Sequence, residues 1–361
     1  MQLYKLNELY SITSGLSKPA NKFGYGNPFL SFSVVFNNFH IPNNITELVD
    51  TNMSEIERFS IQRGDVFVTR TSEKLDELGK SCVALKDIPR ATFNGFCKRL
   101  RPKCCENIIL PEYAQYLFRS KQFTNQIIYS CPMSTRASLN EEILNTIVLN
   151  LHPLNEQRHI VDIIGSLDDK IENNNKIINK LWQKLQLIHT DFKSKNELVE
   201  KNILELADIK YGKGIPTSEI LKDGLYSVYG SNGIIGYLNN YTFKEHKIAI
   251  SCRGNSSGII HLTDENSTVT SNSLVLDFKN FDYTYYFFLE FMYKGLYEYK
   301  TGSAQPQITI DNLKILNLQV PKNINDYIKN INDSVEYTFC LKKENQKLFL
   351  LKQFYLKKFF G

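Results

Sequence analysis

The chain has 361 residues, 42% of them hydrophobic, which is enough for two or three domains with real cores. Its 43 basic and 38 acidic side chains give a net charge of +5, too small an excess to name nucleic acid as a partner by itself. No apolar run reaches the ~18 residues of a membrane span, and the seven cysteines (82, 97, 104, 105, 131, 252, 340) show no Cys-x-x-Cys spacing for a metal.

The first residues, Met1-Gln2-Leu3-Tyr4-Lys5-Leu6-Asn7-Glu8, lack the basic-then-apolar layout of a secretory signal. With irregular cysteines read as reduced thiols, the expected location is the cytoplasm. Residues 6–15, Leu-Asn-Glu-Leu-Tyr-Ser-Ile-Thr-Ser-Gly, predict a short helix stopped by Gly15. Strand-like runs follow at Val66-Phe67-Val68-Thr69-Arg70 and Ser81–Leu85, with glycine-containing turns between. Gly79-Lys80-Ser81 is not a phosphate loop, because the glycine needed five residues earlier is Lys74.

Residues 90–103 carry Arg90, Lys98, Arg99, Arg101 and Lys103 with no acid among them, and Phe93 and Phe96 lie between. Such a stretch suits a phosphate backbone; the competing reading is a basic edge strand protected from self-pairing. A Tyr-rich helical stretch at Tyr113–Phe123 and a polar loop, Ser134-Thr135-Arg136-Ala137, close the first globule. An apolar strand, Ile147-Val148-Leu149-Asn150-Leu151-His152-Pro153, then opens a long helical tract. In that tract Ile160, Ile163, Ile164, Leu167, Ile171, Ile178, Leu181, Leu185, Ile188 and Phe192 form an apolar stripe. At 1.5 Å per residue about forty helical residues reach ~60 Å, so the stripe needs another long helix to cover it. Asn173-Asn174-Asn175 marks a point where the helix could break.

The second half repeats the first. Ile-Leu-Glu-Leu-Ala-Asp-Ile-Lys-Tyr-Gly at 203–212 matches residues 6–15, and Ala249-Ile250-Ser251-Cys252-Arg253 matches the Arg70 strand. Gly258–Leu262 predicts a later strand and Tyr283–Tyr299 a helical stretch; Ser303-Ala304-Gln305-Pro306-Gln307 supplies the polar loop. The closing strand, Ile315-Leu316-Asn317-Leu318-Gln319-Val320-Pro321, precedes a second helical tract, and Pro153 and Pro321 lie 168 positions apart. That tract has a broader stripe through Ile328, Ile331, Val335, Phe339, Leu341, Leu348, Leu351, Phe354 and Phe359. Lys352, Lys357 and Lys358 read as its solvated face. The order globule, helix, globule, helix predicts an α+β fold of two similar domains joined by two long helices pairing as an antiparallel coiled coil, with pseudo-two-fold character. Two similar readers on long helices suit a partner that itself has near two-fold symmetry, and duplex DNA leads the candidates.

The layout resembles the specificity subunit of type I restriction–modification systems. The likeness is carried by Pro153-Leu154-Asn155-Glu156-Gln157 running into Ile163-Ile164-Gly165-Ser166-Leu167-Asp168-Asp169-Lys170-Ile171. It is also carried by Tyr229-Gly230-Ser231-Asn232-Gly233-Ile234-Ile235-Gly236-Tyr237 and Gly302-Ser303-Ala304-Gln305-Pro306-Gln307-Ile308. The resemblance implies target recognition domains at 1–152 and 201–320, each reading one half of a bipartite DNA target. It implies a central conserved helix at 153–200 and a distal one at 321–361, which set the spacing and dock methyltransferase subunits. Partner-binding residues would include Pro153, Glu156, Gln157, Ile160 and Leu167. The chain itself would hold no cofactor: S-adenosylmethionine would sit on methyltransferase subunits, two of them expected, and ATP with magnesium on restriction–translocase subunits.

Base reading needs bidentate donors and acceptors, Arg for guanine and Asn or Gln for adenine. The second half offers Lys213, Ser231, Asn232, Arg253, Asn255, Ser256, Asn272, Gln305 and Gln307. The first offers Thr69, Arg70, Thr71, Lys80, Asn94, Arg99, Arg101 and Arg136. Arg70 and Arg253 lead, read as repeat-equivalent at strand ends; a salt-bridged structural arginine is the alternative for each. No catalytic set emerges. Asn27-Pro28-Phe29 lacks the second proline of an adenine methyltransferase loop, and Asp223 with Glu245-His246-Lys247 is an easily chanced charge cluster rather than a nuclease. A non-catalytic scaffold whose duplicated modules bind proteins remains the other reading.

Overall fold

The structure is a computed structural model, described here for residues 1–72, 74–103, 108–131, 137–302 and 305–361. It divides into two compact units, residues 1–172 with 346–361, and residues 173–345. Each unit carries the same three sheets. In the first, Gln2–Lys5 pairs with Val148–Leu151, and a four-stranded antiparallel sheet runs Tyr10–Ser14, Cys97–Pro102, Val66–Thr69, Ser81–Val83. A third sheet places Phe23–Leu30 between Leu48–Val49 and a parallel Thr92–Phe93. The second unit has Leu198–Asn202 with Asn317–Pro321, and the sheet Ala207–Tyr211, Ser273–Phe278, Ile248–Ser251, Ile260–Leu262. Its third sheet sets Tyr226–Gly230 between Gly233–Leu238 and a parallel Thr268–Val269. The duplication read in the sequence is therefore a duplication of strand order and direction.

The glycines at the matched positions act differently from the expected helix stops. Leu6–Leu9 and Ile203–Leu206 are single helical turns, and the chain then continues as a strand up to Gly15 and Gly212. A Cβ on Gly15 would lie 2.1 Å from the Asn94 carbonyl oxygen, and one on Gly212 would lie 2.3 Å from that of Thr270. Both are places where two backbones cross, and only glycine fits.

Sheet register corrects another expectation. Val66 faces Leu100 and Ile248 faces Leu276, so Thr69 matches Ser251 and Arg70 matches Cys252. Arg253 instead matches Thr71, because Arg253 bridges Gln307 as Thr71 bridges Ser138. Arg70 and Arg253 are one residue out of equivalence. The same register reveals an inverted ion pair. Asp65 and Arg101 sit where the second unit has Lys247 and Asp277. The Arg101 guanidinium donates to both Asp65 carboxylate oxygens at 2.8 and 2.6 Å, and Lys247 Nζ lies 2.7 Å from Asp277 Oδ1. The pairing survives with its charges exchanged, since either polarity satisfies two facing strand positions.

The two tracts after the closing strands are continuous helices, Leu154–Lys195 and Asn325–Phe360, so the Asn173–Asn175 break does not occur. Asn174 is buried instead. Its side-chain amide donates to Glu344 and Asn345 at 2.8 Å each, and Asn345 donates back to Asn175 at 3.0 Å. Further along the second unit, Phe192 packs on Tyr327, and His189 Nδ1 lies 2.8 Å from the Tyr327 hydroxyl. Pairing of 174 with 344–345 and of 189 with 327 makes the helices antiparallel. Glu290 completes that layer. Burial alone would raise its pKa, but hydrogen bonds from His189 and Lys193 bring it down to about 2.

In the first unit Phe360 packs against Tyr113 and His152. Lys352, expected on the solvated face, is buried: its ammonium lies 2.6 Å from Asp168 and 4.2 Å from the Phe39 ring centre. Conversely Leu351 and Phe354, placed in the stripe by periodicity, are 42% and 60% exposed. The distal helix rotates its charged Lys352 inward and its aromatic Phe354 outward over the same turn.

Candidate nucleic-acid interface

The second unit gathers its polar candidates by backbone geometry. Tyr226–Gly230 and Gly233–Leu238 form a hairpin whose two-residue tip is Ser231-Asn232, with Gly233 at φ +99° closing the turn. Ser231 Oγ donates to the Asn272 carbonyl at 3.4 Å, and Ser256 Oγ donates to Asn232 Oδ1 at 2.5 Å. The Asn272 carbonyl also accepts from Cys252 N–H, fixing the residue before Arg253. Arg253 bridges Gln307, and Gln307 exchanges two backbone hydrogen bonds with Thr301 at 2.8 and 2.9 Å, closing the loop that carries Gln305. Lys213 accepts at its carbonyl from Ser271 N–H, beside Asn272. Lys213, Asn232, Arg253, Asn255, Asn272, Gln305 and Gln307 are exposed, while Ser231 and Ser256 are half-buried. Five separate segments thus deliver donors and acceptors to one end of one sheet system.

The first unit differs. Thr69 is fully buried, with its hydroxyl 3.4 Å from the Glu77 carbonyl. Arg99 is buried, donates to the Ser60 carbonyl at 2.6 Å and lies over Phe93; burial and the Arg101 charge bring its pKa down to about 10. Arg101 is held by Asp65 and Ser60. These three expected DNA contacts are structural and are withdrawn. The basic stretch is neither a free phosphate track nor an edge. Cys97–Pro102 is an interior strand, Arg90 donates to Asn27, Lys98 to Ser14 and Lys103 to the Asn7 carbonyl. Arg70 is exposed, Thr71, Lys80 and Asn94 are half-buried, and Arg136 lies outside the described residues. Asn94 Oδ1 accepts from Phe96 N–H at 2.7 Å, and the Phe96 carbonyl accepts from Arg70 N–H at 2.8 Å. That arrangement leaves the Phe96 ring 57% exposed at the position Asn272 holds in the other unit.

Of the expected partner-binding residues, Gln157 and Ile160 are interior. Gln157 donates to the Ile108 and His152 carbonyls and accepts from Leu110 N–H, tying the helix start to the globule, and Ile160 belongs to the first core. Pro153 and Glu156 are exposed and Leu167 half-buried. Periodicity alone missed Phe349 and Leu350, each 54% exposed beside Phe354. Of the nuclease-like cluster, the His246 ring stacks on Phe339 and Lys247 pairs with Asp277, while Asp223 and Glu245 are exposed. Among the described residues no group of three or more His, Cys, Asp or Glu is placed to hold a metal, and no helix is long and apolar enough to cross a membrane.

The type I restriction modification DNA specificity domain matches this chain twice, over residues 1–183 and 195–352. The chain belongs to that family. Over 187 residues it is 29% identical to the EcoKI type I restriction enzyme specificity subunit of Escherichia coli, covering 49% of this chain and 39% of that one. Over 235 residues it is 26% identical to a Methanocaldococcus jannaschii protein described as the MjaX specificity subunit, covering 59% and 54%. The matched regions thus span about half or less of these curated relatives. The type I S subunit from M. genitalium has the same fold, with a TM-score of 0.64 at 15% identity over 100% of this chain and 96% of that one. Specificity subunits of this family are non-catalytic.

The exposed cluster makes one comparison sharp. Replacing Arg253 by Ala is expected to weaken discrimination at one half-site by about 1–3 kcal/mol, the usual loss for a bidentate base contact. Arg101→Ala is expected to leave discrimination unchanged while lowering thermal stability. Titrations on duplexes altered in one half-site at a time, run beside melting curves, separate the two effects.

Proposed function

We propose that the chain is the sequence-reading subunit of a type I restriction–modification complex, in which each unit recognises one half of a bipartite double-stranded DNA target. The observation that carries this reading is the duplication: one strand order, built twice, brings an exposed polar cluster around Arg253 in one copy and the exposed Arg70 and Phe96 in the other. The chain transfers no methyl group and cuts no DNA by itself. Adenine N6-methyltransferase subunits, two of them for two similar units, carry S-adenosylmethionine, and restriction–translocase subunits carry ATP and magnesium. The complex works in the cytoplasm. The exposed Phe349, Leu350 and Phe354 of the distal helix, with Pro153 and Glu156 at the start of the central helix and the half-buried Leu167, supply the surface for the methyltransferase, since apolar side chains left in water favour a partner.

Modularity is the test. Exchange of residues 201–312 for the same module of a relative is expected to change one half of the methylated sequence and leave the other intact. Methylome sequencing of cells expressing the hybrid with its partner reads this out. A change in both halves together would overturn the two-reader assignment.

A further inference from the structure

The strand Ala207–Tyr211 and the loop before Ile248 border an open groove of about 480 Å³ in the second unit. Four lysines line it: Lys210, Lys213, Lys244 and Lys247. Two are already neutralised. Lys210 and Lys247 both bind the Asp277 carboxylate, at 2.9 and 2.7 Å, and Lys247 also reaches Glu245 at 3.3 Å. Lys210 further lies 5.3 Å from the Phe243 ring centre, so the groove wall is held in place by ion pairs and packing. Lys213 and Lys244 are exposed, and among the described residues neither ammonium has a hydrogen-bond or ion-pair partner. Four lysines against Asp277 and Glu245 leave the groove at +2, carried by the two free heads.

Its location matters as much as its charge. The Lys213 carbonyl accepts from Ser271 N–H, one residue before Asn272, so the groove opens directly beside the cluster that presents Ser231, Asn232 and Arg253. Neither free lysine has a basic equivalent in the first unit. By sheet register Lys210, Lys213, Lys244, Glu245, Lys247 and Asp277 match Thr13, Leu16, Gln62, Arg63, Asp65 and Arg101, so the net charge over these six positions falls from +2 to +1 and both free lysines are replaced by uncharged residues.

We propose that this groove seats the DNA sugar–phosphate backbone flanking one half-site, with Lys213 and Lys244 each neutralising a phosphate. This rests on the proposed DNA-reading function and goes beyond it by dividing labour: the second unit contributes sequence-independent affinity that the first does not match. Phosphate contacts position a protein on the duplex without reading sequence, and each releases counterions, so each steepens the salt dependence of binding.

The test uses the full chain assembled with its methyltransferase, titrated by fluorescence anisotropy against a target duplex and a scrambled duplex between ~50 and ~200 mM salt. Lys213→Ala and Lys244→Ala are each expected to weaken both duplexes by the same factor. Each should also lower the slope of log affinity against log salt by about 0.9, and the double variant by about twice that. Lys213→Arg keeps the charge and should keep the slope, and Lys314→Ala, a lysine paired to Asp311 outside the groove, serves as control. An unchanged slope in the double variant overturns the groove assignment, as does a loss confined to the target duplex, which would make these lysines base readers. If the parent complex prefers neither duplex, the DNA-reading function falls first and the groove assignment with it.

Discussion

Lys352→Ala is expected to lower the melting temperature of the chain by roughly 5–10 °C, whereas Lys357→Ala, five residues further along the same helix, should leave it within a degree or two. The reason is local. Lys352 is buried, and its ammonium is bound to Asp168 at 2.6 Å over the Phe39 ring. Asp168 also accepts from the Tyr116 hydroxyl at 3.0 Å, so one carboxylate ties the distal helix, the central helix and the first globule together. Removing one partner of a buried pair typically costs about 3–5 kcal/mol. Here the Asp168 side chain is 33% exposed and water can resolvate part of it, so about 2–3 kcal/mol is the better expectation. At about 2–4 °C per kcal/mol for a unit of this size, that gives the shift stated. Lys352→Met keeps the methylene packing but still orphans Asp168, and should fall between the two. A Lys352→Ala variant that melts with the parent protein would mean the pair contributes no net stability.

The same lysine shows what a sequence does and does not disclose. The two globules, their duplication and the two long helices were legible, because each rests on a local signal: proline-stopped apolar strands, matched segments in the two halves, an apolar stripe along a helix. Residues whose role depends on a partner distant in the chain were not. Arg99, Arg101 and Lys352 look alike as basic residues in basic company. Ser60, Asp65 and Asp168, which come from other elements, make all three structural. Alternation does not reveal which strand neighbours which, so the basic stretch at 90–103 gave no sign that it forms an interior strand. Register carries the same difficulty at finer scale. Arg70 and Arg253 follow similar strands, yet the pairings of Val66 with Leu100 and Ile248 with Leu276 set them one position apart. The inverted pair Asp65–Arg101 and Lys247–Asp277 was in principle readable, as two opposite charges at matched strand positions in both halves.

The helices invite a second large-effect experiment, and the structure changes its design. Periodicity alone would place a four-residue insertion near Asn174 in the central helix, to lengthen the spacer between half-sites. Asn174 is in fact the buried centre of a polar layer with Glu344 and Asn345, and such a layer in an apolar seam pairs two helices in one register only. Residues 325–345 of the distal helix belong to the second unit and residues 346–361 to the first. Lengthening only the central helix by a turn leaves the distal helix one turn short, about 6 Å, of Asp168 and of the Tyr113–His152 site that Phe360 fills. The single insertion is therefore expected to abolish methylation and to lower stability by more than the Lys352 variant does. A paired insertion, four residues after Glu172 and four before Gln346, keeps the Asn174 layer and the Lys352–Asp168 pair intact. Four residues are close to one helical turn, so the apolar stripe stays nearly in phase. With DNA rising about 3.4 Å per base pair, the paired variant should restore methylation at a target whose two half-sites are unchanged and whose spacer is one or two base pairs longer. Methylome sequencing distinguishes the outcomes. Restored methylation with the original spacer would show that the helices join the readers without measuring the distance between them.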